Sequence, residues 1–355
     1  PRSRGLGDVY KRQTVLFNNN ADLTIGANVR TAIQNSNSLG NSDATRPDVT
    51  VSSGGIFNLS VNDTNIRSQT IASLSGAGQV IAGTGATVTP VTGGISTLTI
   101  NGNIGSNVTS NATFSGTIAD GDTAVVKVAV VKSGTERQIL TGTNTYTSTT
   151  TINGGVLQFG KPESLYNANN ASWTTSNIIV NSGATLAFQV GGSGEFSESQ
   201  VASLLALGSG SGGFKTGSRV GFDTSNAGGE FTYGSVIANP NSNANTLGLR
   251  KLGSGKLTLS QVNTYTGGTI IEQGTLATTQ AGGIGTSGTL AISAGATYET
   301  RAIATSQHSL ATTGTGAIQV YPASSASATQ YSFTSGSLTG FTGNIVINPS
   351  TSFPN

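Results

Sequence analysis

The sequence predicts an all-β fold wound as a solenoid, a parallel β-helix with one short helical insertion. Three observations lead there. Short runs of alternating apolar and hydroxylic residues recur along the chain, closed by Gly- and Asn-rich corners; a period of two marks strands. The stretch Lys251 to Leu276 (KLGSGKLTLSQVNTYTGGTIIEQGTL) repeats an earlier one, Lys132 to Leu157 (KSGTERQILTGTNTYTSTTTINGGVL), at a constant offset of 119 with 11 of 26 positions identical. Gly supplies 50 of the 355 residues and aromatics only 6%, which suits elongated stacking better than one large core.

Strand segments 8 to 12 residues apart also fit a sandwich. Reuse of one strand–turn–strand order at a fixed interval suits a quasi-one-dimensional stack in which each coil meets only its neighbours. At about 22 residues per coil and about 4.8 Å between strands, the chain makes roughly 15 coils and a rod of about 70 Å.

Residues 1–13 (PRSRGLGDVYKRQ) break the Thr/Asn/Gly style of the chain beyond Thr14 and read as an adapter-like artefact outside the fold. Residues 14–194 form β-helix, with the first repeat copy at 132–157. Alternating strands at Val15–Phe17 and Leu23–Ile25 lead into a polar loop, Asn35 to Pro47. Regular rungs begin at Val49, with Asn101-Gly102 and Asn153-Gly154 as dipeptides that tolerate a positive φ at tight corners. Leu98, Ile100, Leu140, Ile152 and Leu157 point inward and stack on counterparts one rung away. Residues 195–208 are an insertion. Ser197 with Gln200 makes a capping box, Val201, Leu204 and Leu205 an apolar stripe, and Gly208 a left-handed stop, so Glu198 to Leu207 reads as a helix. Glu198 near its start suits the helix dipole. Residues 209–355 resume the β-helix, with the second copy at 251–276. Phe341 precedes Ile347 by six places, as Tyr146 precedes Ile152 and Tyr265 precedes Ile271, and reads as a third, shorter echo.

The residues of the two copies resemble the autotransporter-associated β-strand repeat, also called the passenger-associated transport repeat: an L-x-L strand, an N-T-Y-T-G-G-T turn and a T-x-x-x-G-x-L strand. The matching positions are Leu140, Asn144, Tyr146, Thr150, Ile152, Gly155 and Leu157 in the first copy. In the second they are Leu257, Leu259, Asn263, Tyr265, Thr269, Ile271, Gly274 and Leu276. The first copy departs at Gln138, which replaces a Leu, at Glu136, which replaces a Gly, and at Ser148-Thr149, which replace Gly-Gly. An aromatic-S-G-x-I segment often precedes the repeat; Phe114 and Ile118 fit it, and Tyr233 and Ile237 stand 119 residues on. The resemblance implies a right-handed parallel β-helix exported to the bacterial surface, with an outer-membrane β-barrel translocator as partner.

Charge and composition narrow the function classes. The net charge of +2 derives from residues 1–13, where Arg2, Arg4, Lys11 and Arg12 face one Asp8; the remainder carries 13 basic and 14 acidic groups. No later stretch interleaves Lys and Arg with aromatics, so nucleic acid is not an expected partner. Without Cys there are no disulfides or thiolate sites, and the absence of Met suggests a fragment or processed piece. The most apolar run, Ala124 to Val131, is interrupted by Lys127 and far shorter than the roughly 20 residues of a spanning helix, so no transmembrane segment is expected.

Candidate chemistry is sparse. His308 is the only histidine and has no acid within eight residues in sequence, so neither a triad nor zinc is expected. Asp120-Gly121-Asp122 reads as an ordinary Asp-Gly turn in preference to a calcium-binding one. Lyases and hydrolases on this fold need grouped carboxylates, whereas Asp63, Glu136, Glu163, Glu230, Glu272 and Glu299 are scattered singly. Thr143, Thr145, Thr147, Thr149 and Thr151 alternate as on an ice-binding face, but the ladder does not recur at a coil-sized interval. Tyr146 and Tyr265 either brace corners or stack on glycans. The expectation is a non-enzymatic, cofactor-free passenger segment at the cell surface whose repeat assists export. The alternatives are an adhesin or glycan-binding module and a β-helix lyase or hydrolase.

Overall fold

The computed structural model describes residues 22–32, 39, 46–60, 66–83, 93–102, 111–121, 126–280, 283–285, 287–302, 305–322 and 330–348. The adapter-like residues 1–13, Val15–Phe17, Asp63, Asp122 and nearly all of the polar loop lie outside them. Every strand pairing among the described residues is parallel, save one isolated antiparallel bridge between Gly208 and Gly213. The fold is a parallel β-helix.

The chain forms two compact units, Pro1–Leu157 with Pro162–Ser172, and Gln158–Lys161 with Trp173–Asn355. In the first, the chain visits three sheets in turn. One sheet takes Leu23–Ile25, Asp48–Val51, Ser73–Gly76, Asn111–Phe114 and Arg137–Leu140 in order. The second takes Arg30–Ala32, Ile56–Asn58, Gln79–Ile81 and Thr117–Ile118, and the third Gln69–Ile71, Gly94–Ile100, Val126–Lys132 and Thr150–Ile152. Alternation along each strand sends one set of side chains inward. Coil length is uneven: Leu23 faces Val49, Gly76 faces Phe114 and Val130 faces Thr150. Coils of about 22 residues are therefore the short end of the range here, and loops between the sheets absorb the difference.

In the second unit two long sheets alternate. Thr185–Gln189, Ser218–Asp223, Leu247–Leu252, Thr269–Ile271, Thr289–Ile292, Ala311–Gly314 and Gly340–Phe341 form one. Glu230–Tyr233, Lys256–Leu259, Thr275–Thr278, Thr297–Ala302, Ala317–Pro322 and Asn344–Ile347 form the other. Beside the first copy's turn in the earlier unit, the threonine ladder is only partly strand: Thr145 and Thr147 are exposed, but residues 141–149 have no ladder partner strand.

The insertion is a helix over Glu198–Leu205, opened by the capping box in full. Gln200 N donates to Ser197 Oγ at 3.3 Å and Ser197 N to Gln200 Oε1 at 3.0 Å. Val201, Leu204 and Leu205 are buried, and Ser235 Oγ donates to the Glu198 carboxylate at 2.7 Å. Ser197→Ala should cost about 1 kcal/mol of the second unit's stability in urea denaturation, the usual effect of losing such a cap.

Three expectations about corners are corrected. Gly208 does not take the left-handed conformation; Ala206 ends the helix with φ −70, and a Cβ on Gly208 would lie 2.6 Å from Pro240, so glycine serves close approach there. Gly102 is left-handed at φ 63, but at the second corner the left-handed residue is Gly155 (φ 61), one place beyond Asn153-Gly154. The echo at Phe341–Ile347 is not a third copy of the Tyr–Ile spacing. Phe341 lies in a strand opposite Gly314, as Phe114 lies opposite Gly76, and the ring tip of each Phe lies close to where a Cβ on the glycine two residues on would sit, 2.7 Å at Gly343 and 2.6 Å at Gly116. Phe341-Thr-Gly-Asn-Ile345 is thus the counterpart of Phe114-Ser-Gly-Thr-Ile118.

Candidate functional site

The candidate site is the repeat itself, built twice from the same parts. Leu140, Asn144, Tyr146, Thr150, Ile152 and Leu157 are buried, as are Leu257, Leu259, Asn263, Tyr265, Thr269, Ile271 and Leu276. Gly155 (φ 61) and Gly274 (φ 64) turn the chain where a Cβ would press within 2.4 Å of a backbone carbonyl, so only glycine fits. The two tyrosine rings are 1% and 0% exposed and have no face to offer a sugar. They brace the corner instead. Tyr146 Oη lies 2.6 Å from Thr150 Oγ1, and Tyr265 Oη lies 2.6 Å from Thr269 Oγ1. In the first copy Thr150 Oγ1 also donates to Tyr166 Oη at 2.9 Å, and the two tyrosine rings meet at 4.9 Å.

The asparagines join three coils. Asn144 Oδ1 accepts from Ile118 N at 2.8 Å, 26 residues earlier, and Asn144 Nδ2 donates to Ser164 O at 2.7 Å, 20 residues later. Asn263 Oδ1 accepts from Ile237 N at 2.7 Å and its Nδ2 donates to Gly283 O at 2.5 Å, with the same 26 and 20 separations. A carboxamide presents an acceptor and a donor on separate atoms, whereas an ionised carboxylate only accepts.

Sequence reasoning missed two further members. Lys132 and Lys251 begin the two copies and are almost wholly buried, in columns of inward apolar residues. Lys132 stands between Ile100 and Ile152, and Lys251 between Phe222 and Ile271. Backbone carbonyls satisfy the ammonium groups. Lys132 Nζ donates to Ser133 O and Gly134 O, and Lys251 Nζ donates to Leu252 O at 2.7 Å, Gly253 O at 2.7 Å and Gln273 O at 3.2 Å. Burial pushes both groups down to about 8, with Glu136 and Asp223 respectively pulling the other way. The available signal was the identity of Lys at the 119 offset combined with inward parity beside Val128 and Val130.

The second missed pair lies upstream of the sequence match. Asp120 accepts from Val128 N at 2.7 Å, Thr147 N at 3.2 Å and Thr147 Oγ1 at 2.6 Å. Asn239 accepts from Leu247 N at 2.9 Å and Thr266 N at 3.1 Å, and donates to Thr266 Oγ1 at 2.9 Å. These are the same positions 119 residues apart. The hydroxyl reverses its role, so Asp120 in one copy and Asn239 in the other fill the same place.

The departures of the first copy have local reasons. Strands Ser73–Gly76 and Asn111–Phe114 pair only at Gly76 opposite Phe114. Gln138, where the second copy has Leu257, reaches back and replaces the missing ladder: its Oε1 accepts from Leu74 N at 3.0 Å and its Nε2 donates to Leu74 O at 2.8 Å and Ala112 O at 3.1 Å. Ser148 N donates to Val128 O as Gly267 N does to Leu247 O, but only Gly268 of the Gly-Gly pair is left-handed, at φ 81.

The remaining candidate groups take no part in the asparagine bridges or the tyrosine–threonine braces. His308 is buried with Nε2 2.7 Å from Thr312 Oγ1, flanked by Tyr298 and Phe333, and burial lowers its pKa. Glu272 pairs with Arg250 and Glu299 with Lys256. Among the described residues no three His, Cys, Asp or Glu side chains group as metal ligands, and no helix is long and apolar enough to cross a membrane.

A parallel β-helix carrying an internal repeat with an inward Lys, a bridging Asn and a Tyr–Thr brace is the class that these observations define. The profile of the passenger-associated-transport-repeat family matches residues 130–159 and 249–277, the two copies in turn. The chain thus carries two matches to the passenger-associated transport repeat. It matches no curated protein and no solved structure.

Proposed function

We propose that this chain is a non-enzymatic structural segment of an autotransporter-like passenger, displayed on the bacterial surface, in which the repeat helps export by folding coil upon coil. Membership of the repeat in a passenger family supports a translocator as partner and the surface as destination. The observation that carries the mechanism is the asparagine bridge. Asn144 and Asn263 each fix their own coil to the preceding one through an amide and to the next through a carbonyl. A coil that has formed outside therefore presents an amide group, held by water, that the next coil takes over and buries, and each closed bridge opposes back-sliding of the chain. A binding role for the 195–208 insertion has less support, because its apolar stripe is packed inward.

Leu259, 1% exposed between Tyr233 and Thr278 in its sheet, offers the test. Leu259→Asp buries a charge without a partner and should halt coil addition at the second copy. Surface display should fall severalfold while total synthesis stays constant; equal surface levels for the variant and the parent would reject the mechanism.

A further inference from the structure

We infer that the outer side of the second unit's longer sheet holds a binding site for a small oxyanion, between Arg219 and Arg250. The two side chains come from adjacent parallel strands and are offset by two positions. Arg219 stands opposite Gly248, and Arg250 stands opposite Gly221. Each guanidinium stem thus has a glycine beside it in place of a competing side chain. The approach is close, since a Cβ on Gly248 would lie 3.0 Å from Arg219 Cγ.

The charges do not balance. Arg250 is held by one carboxylate, with Nε 2.6 Å from Glu272 Oε1 and Nη2 on the same oxygen, and Nη1 reaches Thr185 Oγ1 at 3.5 Å. Arg219 has no such partner among the described residues, and its Nε is shielded from solvent without a hydrogen bond. Burial first, and then the neighbouring Arg250, make its charged form less favourable than usual. The rest of its planar fork of donors, on a half-exposed side chain beside a second guanidinium, matches a sulfate, phosphate or carboxylate group, which would supply acceptors and the missing charge. Inward alternation explains why the sequence hides this: Val220 and Leu249 face the core, so RVG and GLR bring the arginines together only once the two coils are in register.

The test titrates the full chain with sodium sulfate, inorganic phosphate and glucuronate at constant ionic strength, against chloride, following the arginine Nε–H signals by NMR. The Arg219 signal should shift and saturate. Arg219→Gln, which removes a charge that lacks a partner and so leaves the fold intact by circular dichroism, should weaken binding about tenfold or more. Glu272→Gln, which releases the second guanidinium, should tighten it. Saturation by all three probes supports the oxyanion itself as the ligand, and saturation by glucuronate alone supports an acidic sugar as its source. No response beyond that to chloride, or equal binding by the parent and Arg219→Gln, overturns the inference.

Discussion

Asn263→Ala should destabilise the second unit by about 3 kcal/mol, because it leaves a buried amide on one coil and a buried carbonyl on another without partners at about 1–3 kcal/mol each. The groups concerned are Ile237 N and Gly283 O, and Asn263 Nδ2 also donates to Gln261 O at 3.1 Å. Asn144→Ala should act alike in the first unit through Ile118 N and Ser164 O. Asn263→Asp is the discriminating variant. It keeps the acceptor for Ile237 N but sets a carboxylate against two carbonyl oxygens, so its loss at neutral pH should equal or exceed that of the alanine. It should shrink in acid, where a protonated carboxyl can donate again. Urea midpoints at pH 7 and pH 4 measure this, each read against the parent protein at the same pH. An alanine variant within experimental error of the parent would mean that the bridge carries no free energy.

Stability should rise with pH between about 8 and 10, against the habit of most folded proteins. Lys132 and Lys251 titrate at about 8 when folded and near 10.5 when unfolded. Between those values the unfolded chain binds more protons, so stability increases with pH by up to about 1.4 kcal/mol per pH unit for the lysine in each unit. The contribution is complete above the unfolded value and is lost as pH falls through 10.5 to 8. Tyrosines impose the upper limit. Burial raises Tyr146 and Tyr166 in the first unit, and Tyr233 (to about 12), Tyr265, Tyr298 and Tyr331 in the second. Their stabilisation is present below pH 10 and is lost as pH rises through the folded values, so the curve should turn over near pH 10. His308, lowered by burial, adds a separate loss as pH falls below its unfolded value of 6.5. Denaturant midpoints from pH 7 to 11 give the profile, and Lys251→Met should remove the second unit's share of the rise. A flat profile from 7 to 10 would show that the lysines are not desolvated as the fold implies.

The solenoid was legible because its evidence is periodic and local. Alternation, glycine corners and an exact reuse of Lys, Asn, Tyr, Thr, Ile and Leu at one offset survive in a linear string. The capping box at Ser197 and Gln200 was legible for the same reason, since its two bonds span three residues. The false third copy at Phe341 shows the limit of spacing. Two residues six apart fit many arrangements, whereas the neighbours Thr342, Gly343 and Ile345 tie that segment to Phe114–Ile118 instead.

From the sequence alone come the strand period, the two repeat copies, the short helix and the lack of any thiol chemistry. Tertiary structure decided which residues answer each other: Asn263 with coils 26 residues before and 20 after, Gln138 with Leu74 across 64, and Arg219 with Arg250 across a strand pair. In a parallel coil every ladder bond runs between turns of unequal length. The identity of a side chain's partner is therefore set by how many residues each intervening loop contains, and no local pattern records that count.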